Sequence, residues 1–201
     1  MKILGLTGDI ACGKSTVARL LGERGAVHLD ADVQVRELYG DLDFAAQLAA
    51  RFGDVLSESG AVDRAKLAPM VFDNPENLRV LESIVHPAVA QLRARQLTQL
   101  RESGCEVAVV EAVKLLESGQ GADCDEIWCV TANANVQLRR LVQNRELTEA
   151  QARARLANQP SRADKEKLAG CVPLVWIDNS GTLTDLEQFV ARQWKRFKLN
   201  H

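Results

Sequence analysis

The 201-residue chain has no apolar run approaching the ~18 residues that a membrane-spanning helix needs. Its opening, Met1-Lys2-Ile3-Leu4-Gly5-Leu6-Thr7, is apolar for only a few residues before polar groups begin. That is too short for the hydrophobic centre of a secretory signal, so a cytoplasmic protein with no membrane partner is expected. Net charge is also lacking: 25 Lys and Arg against 27 Asp and Glu leave −2 at neutral pH. No global field therefore draws the chain to nucleic acid or to an anionic surface. The five cysteines, at 12, 105, 124, 129 and 171, are odd in number and scattered, and Cys124 and Cys129 have no His or Cys at zinc spacing. Reduced thiols are expected rather than a disulfide framework or a zinc site. There is no internal repeat and no low-complexity segment. Length and ordinary composition, 46% hydrophobic and 26% charged, fit a compact domain with small insertions, as a monomer or small homo-oligomer.

What is present is an alternation of short apolar runs and helical patterns. Ile3–Thr7, Ala26–Asp30, Glu106–Glu111, Glu126–Thr131 and Leu174–Asp178 read as five strands. The first two flank a helical pattern carrying Val17, Ala18, Leu20 and Leu21, stopped at Gly22 or Gly25, which makes a βαβ unit and a parallel sheet. From Val33 to about Arg101 the chain reads as helical, with breaks near Gly40, Gly53, Gly60 and Asn74-Pro75. Asn74 is the expected N-cap with Pro75 in the first turn, and Pro87 is expected to end one helix and begin another. Two helices are expected between the last two strands, the second opened by a capping box of Thr148 and Gln151. The last helix is expected to be capped by Thr184 and Glu187, with a stripe of Leu186, Phe189, Val190 and Phe197. The whole predicts an α/β fold with a doubly wound five-stranded parallel sheet.

Gly8-Asp9-Ile10-Ala11-Cys12-Gly13-Lys14-Ser15 fits G-x-x-x-x-G-K-[ST] at every fixed position, between a predicted strand and a predicted helix. This is the P-loop, whose glycines let successive main-chain N–H groups turn inward beside the positive end of a helix dipole. The loop residues Gly8, Ala11, Cys12 and Gly13 thus form a phosphate cradle for ATP. Lys14 is placed for the β- and γ-phosphates, the Ser15 hydroxyl for Mg²⁺ and Thr16 for the α-phosphate.

A GTPase would add switch segments and N-K-x-D, and neither is found. Instead Asp30-Ala31-Asp32 ends the second strand, at the edge where α/β sheets place ligands. In extended chain, carboxylates two residues apart point the same way. One is suited to take a proton from an attacking hydroxyl, the other to orient Mg²⁺ or its waters. Glu111, at the end of the third strand, holds the position from which P-loop proteins support the magnesium shell. Between Arg139 and Lys167 eight Lys and Arg face four Asp and Glu, a local basic excess. Arg140, Arg145, Arg162 and Lys165 within it suit a flap that closes over the γ-phosphate and neutralises its charge.

Over nearly its full length the chain resembles the dephospho-CoA kinase family. The resemblance rests on Leu6-Thr7-Gly8 with the P-loop, Asp30-Ala31-Asp32, Phe52-Gly53, Gly60-Ala61-Val62-Asp63-Arg64 and Leu81-Glu82-Ser83-Ile84-Val85-His86-Pro87. It continues in Leu115-Leu116-Glu117, Gln137-Leu138-Arg139-Arg140-Leu141 with Arg145, Asn158-Gln159 and Ile177-Asp178-Asn179-Ser180-Gly181. The P-loop is generic; the other blocks, in this order, are specific. The resemblance implies a nucleoside-monophosphate-kinase-like P-loop core (1–32, 102–132 and 168–201), a helical CoA-substrate-binding insertion (33–101) and a lid (133–167). It also implies transfer from ATP to the ribose 3′-hydroxyl of dephospho-CoA, with Asp32 as base, Lys14 and Arg140 on the phosphates, and Arg64 and His86 in the substrate domain. Kinases for shikimate, gluconate or a nucleoside, and a non-catalytic ATP-binding regulator, are the alternatives. Two departures stand out. The family's P-loop is richer in glycine, whereas Asp9 here puts a negative charge beside the phosphate site. Where the family tends to have Asp-x-Pro-Leu-Leu-Phe-Glu, this chain has Glu111-Ala112-Val113-Lys114-Leu115-Leu116-Glu117.

Overall fold

A computed structural model describes residues 1–72, 74–145 and 147–200, without the side chains of Phe72, Asn144 and Arg145. In chain order the elements are β1 (Lys2–Gly8), α1 (Lys14–Gly22), β2 (Val27–Asp30), α2 (Ala31–Gly40), α3 (Leu42–Phe52), α4 (Arg64–Phe72) and α5 (Pro75–Glu102). They continue with β3 (Val107–Glu111), β4 (Glu126–Thr131), α6 (Ala134–Arg145), α7 (Glu149–Ala157), α8 (Arg162–Ala169), β5 (Leu174–Asp178) and α9 (Leu183–Asn200). The chain divides into two compact units, Met1–His28 with Leu100–His201, and Leu29–Gln99.

The five strands form one parallel sheet in the order β2-β3-β1-β4-β5. Its middle strands are buried on both faces, which is why they read as unbroken apolar runs instead of alternating ones. The register pairs Leu6 of β1 with Glu111 of β3 and with Trp128 of β4, so these strands end level with the start of the P-loop. On one face Leu4, Leu6, Val107, Val109, Trp128 and Val130 pack with Val17, Leu20 and Leu21 of α1 and Leu186, Val190 and Phe197 of α9. A buried carboxylate pins this layer: Glu126 is 1% exposed and accepts from Trp128 Nε1 and Arg196 Nη2, both at 2.6 Å.

The second unit has its own core, built from Leu38, Phe44, Leu48, Val55, Val62, Leu67, Val71, Val85, Val89 and Leu92. Asn74 caps α5 as expected, its Oδ1 accepting from the amides of Glu76 and Asn77 at 3.0 and 3.2 Å. Pro87, however, does not divide α5, which runs unbroken for 28 residues. Proline removes one ladder hydrogen bond, but Val85, Val89 and Leu92 are buried on both sides of it, and that packing keeps the helix continuous.

Two further expectations are corrected. The capping box of Thr148 and Gln151 opens α7, but a third helix, α8, follows it, opened by a second box of Ser161 and Asp164. The last helix begins at Leu183, not after Thr184. Thr182 and Asp185 cap it reciprocally, Asp185 N donating to Thr182 Oγ1 at 3.2 Å and Thr182 N to Asp185 Oδ2 at 3.1 Å. That pair meets the chain first as it leaves Gly181, and Thr184 then falls inside the first turn.

Candidate functional site

The P-loop leaves β1 at Gly8, where the chain passes so close to β4 that a Cβ would meet the Val130 carbonyl oxygen and Cys12 Sγ. Ala11 and Gly13 both take left-handed backbone angles, φ +56° and +89°, and Gly13 is the N-cap of α1 with no side chain capping the helix. An alternation of this kind makes an anion-binding concavity.

What turns the loop the right way is a set of donors on its outer side. Gln137 Nε2 donates to Ile10 O at 3.0 Å, and Arg140 Nη1 to Ala11 O and Cys12 O at 3.2 and 3.1 Å. Asn179 Nδ2 donates to Cys12 O at 2.8 Å. In a planar trans peptide the carbonyl and the following N–H point in opposite directions. Three carbonyls held outward therefore turn the N–H groups of Ala11, Cys12 and Gly13 the other way, where Cys12 N makes a long 3.3 Å bond to Asp9 O. The second nitrogen of Arg140 reaches Asn179 O at 3.1 Å, tying the loop to the end of β5.

Gly13 is the tightest point. A Cβ there would run into Asn179 Nδ2, on a backbone conformation that L side chains rarely adopt. Gly13→Ala is expected to destabilise the protein by about 2–4 kcal/mol, the sum of left-handed strain and overpacking. Urea unfolding measures this, and an unchanged midpoint would show that the loop yields at no cost.

Lys14, first residue of α1, ion-pairs with Glu111 Oε1 at the end of β3. Glu111 is 6% exposed, and its other oxygen is 2.6 Å from His28 Nε2 on β2. Ser15 is exposed and Thr16 half-buried in the first turn of α1. Cys12 is buried, and desolvation pushes its thiol up to about 11, against the smaller opposing pull of the Lys14 amide. It fits the loop as a small apolar residue, not as a thiolate. Among the described residues no group of three His, Cys, Asp or Glu comes together as a metal cage. Any divalent cation here would thus take most of its ligands from phosphate and water, as Mg²⁺ does.

Asp9, the departure in the loop, is neutralised within the fold. Its Oδ1 ion-pairs with Lys165 of α8, and its Oδ2 accepts from Thr131 Oγ1 at 3.1 Å. Beyond Glu111 the segment carrying Lys114 is seated by the buried Leu115 and Leu116, and Thr7 Oγ1 donates to Val113 O at 3.0 Å.

Asp30, Asp32, Arg64 and His86 belong to the second unit. The strand β2 ends at Asp30, so Asp30 and Asp32 are not two residues of an extended chain, as the spacing suggests. Asp30 is the N-cap of α2, its Oδ1 accepting from Asp32 N at 2.7 Å, while Asp32 lies exposed in the first helical turn. Arg64 opens α4 with its guanidinium 5.6 Å from the centre of the Tyr39 ring, and His86 is exposed on α5. Of the basic segment, Arg140 and Lys165 reach the P-loop. Arg153 pairs with Glu149, and Arg162 pairs with Glu166 and stacks on Trp176. The side chain of Arg145 lies outside the described residues.

Sequence reasoning singled out neither His28 nor the loop-facing roles of Gln137, Gln159 and Asn179. His28 carried one local signal, a polar side chain on a strand two residues before an aspartate. The three amides stand inside the blocks of family resemblance, but nothing local tells their role, since the loop atoms they meet lie 127 to 167 residues away.

The model of the family described as dephospho-CoA kinase matches residues 2–185. A dephospho-CoA kinase of Geobacter sulfurreducens is 39% identical over 200 residues, covering 98% of this chain and 100% of that protein. A solved structure from Thermus thermophilus is similar at TM-score 0.78 and 30% identity, with 97% of each chain covered. That of a dephospho-CoA kinase from Campylobacter jejuni shares the fold at TM-score 0.66 and 22% identity, over 97% of this chain and 96% of the other.

Proposed function

The chain belongs to the dephospho-CoA kinase family, and on that premise we propose how its own residues carry the phosphorylation of dephospho-CoA by ATP. The reaction is the ATP-dependent step that yields coenzyme A. The observation that carries the assignment of roles is the P-loop with its carbonyls held outward and Lys14 poised on Glu111.

The amides of the Gly8–Ser15 loop and of the first turn of α1 receive the phosphates of ATP, with Thr16 at the α-phosphate. Lys14 exchanges Glu111 for the β- and γ-oxygens, trading one anionic partner for another so that the buried ammonium stays paired. Glu111 stays oriented by His28. Mg²⁺, when bound with ATP, neutralises charge developing between the β- and γ-phosphates. The Ser15 hydroxyl would hold it, with Glu111 and Asp30 orienting its waters. Arg140 keeps the loop in shape and adds positive charge beside the γ-phosphate, joined by Arg145. Asp32 takes the proton of the ribose 3′-hydroxyl as it attacks. The insertion 33–101 binds dephospho-CoA, with Arg64 and His86 contributing contacts, and the segment 133–167 is the lid over the core formed by 1–32, 102–132 and 168–201. No described helix is long and apolar enough to cross a membrane. A cytoplasmic enzyme with small-molecule substrates, monomeric or a small homo-oligomer and free of nucleic acid, completes the reading.

ADP release is to be measured with dephospho-CoA, shikimate, gluconate and nucleosides as acceptors, with mass detection of the product. Turnover is expected with dephospho-CoA alone, giving a product phosphorylated at the 3′-position. Faster turnover of another acceptor would reassign the substrate, and nucleotide binding without any phosphorylated product would make the chain a regulator.

A further inference from the structure

A carboxylate at Asp9, one residue into the phosphate loop, opposes the binding of a triphosphate unless its charge is cancelled nearby. The counter-ion comes from 156 residues away: the Lys165 ammonium, on a side chain only 8% exposed, against an Asp9 side chain 16% exposed. Thr131, the last residue of β4, holds the other carboxylate oxygen. The helix that brings Lys165 is itself fixed to the sheet. Arg162 lies 4.6 Å over the Trp176 ring of β5, and Trp176 Nε1 donates to Glu166 at 3.2 Å. Just before α8, Gln159 Oε1 accepts from the Ile10 amide at 2.6 Å. Two consecutive loop residues are thus gripped by one segment, 159–165, through one ion pair and one hydrogen bond.

We propose that Lys165, acting through Asp9, is a positioning residue for ATP: it cancels the loop carboxylate and, with Gln159, locks the γ-phosphate side of the P-loop to α8. Lys165 does not touch the nucleotide. The proposal rests on the reading of Gly8–Ser15 as the triphosphate site.

The two possibilities for Lys165, through Asp9 or directly on phosphate, separate in a double-mutant cycle. Lys165→Met keeps the aliphatic length and removes the charge, leaving Asp9 uncompensated beside the site. Its KM for ATP is expected to rise at least tenfold, with kcat changing less than threefold. Asp9→Asn placed in the same chain removes the repelling charge and is expected to recover most of the rise. Asp9→Asn alone closes the cycle, and Lys165→Arg, which restores the charge, is expected to hold KM within about threefold of the parent. KM is measured well below each variant's melting temperature, so a loss of stability alone leaves it unmoved. A Lys165→Met enzyme with unchanged KM overturns the proposal. So does a double variant as impaired as Lys165→Met, which would put the ammonium directly on the phosphates. If Lys14→Ala retains turnover, the phosphate-site reading itself fails. If it does not, and Lys165→Met is neutral, only the role of Lys165 is lost.

Discussion

Lys14→Ala is expected to abolish phosphoryl transfer to every acceptor, lowering kcat/KM for ATP by at least ~10³. Removing one preorganised donor from a transition-state site commonly costs 10²–10³ in rate, and two features push this case higher. The ammonium is only 16% exposed, so its charge acts in a poorly screened setting. Its loss also takes the ammonium from the Glu111 carboxylate, 8% exposed at its side chain, which keeps its contact with His28 Nε2. Lys14→Arg keeps the charge but replaces a compact ammonium with a planar fork, and should recover little. Steady-state kinetics with ATP varied, beside calorimetric binding of ATP, separates lost binding from lost chemistry. A Lys14→Ala enzyme within tenfold of the parent would remove the triphosphate from this loop.

The sheet was legible because its middle strands are buried on both faces and announce themselves as apolar runs, Val107–Val110 and Ile127–Val130 among them. The P-loop was legible because its chemistry is local: two glycines, a lysine and a serine at fixed spacing, and α1 does start at Lys14. Elements whose outcome is decided by distant packing were not. Pro87 carries a strong local break signal, yet α5 continues through it, with Val85 and Val89 buried on either side. The box expected at Thr184 and Glu187 gave way to a reciprocal pair two residues earlier, Thr182 and Asp185, which the sequence analysis did not single out. The same reason hid the meaning of Asp9. Read alone it is a negative charge in a phosphate loop; paired with Lys165 it is part of the loop's support. Asn179 and Gln159 stood inside blocks of family resemblance, but resemblance names positions without saying which main-chain atom each amide will meet.

Asp32→Asn is expected to lower kcat by roughly 10²–10⁴, the range for a lost general base, while ATP binding stays nearly intact. The structure separates Asp32 from its neighbour two residues earlier. Asp30 already spends one carboxylate oxygen on the amide of Asp32, the capping bond that starts α2. Asp30→Ala should therefore lose about 1 kcal/mol of stability as a missing N-cap. Asp32 makes no comparable demand on its side chain: it is exposed, and its contribution to the helix is the backbone, with Asp32 O accepting from Arg36 Nε at 3.2 Å. Asparagine in its place keeps the size, the first-turn position and the amide that Asp30 receives, while it removes the negative charge and with it the capacity to take a proton. A fall in kcat with unchanged melting temperature and unchanged ATP affinity assigns the proton to Asp32. If Asp32→Asn turns over near the parent rate and Asp30→Asn does not, the base is the capping aspartate. Deprotonation would then have to proceed from a carboxylate already holding the start of a helix.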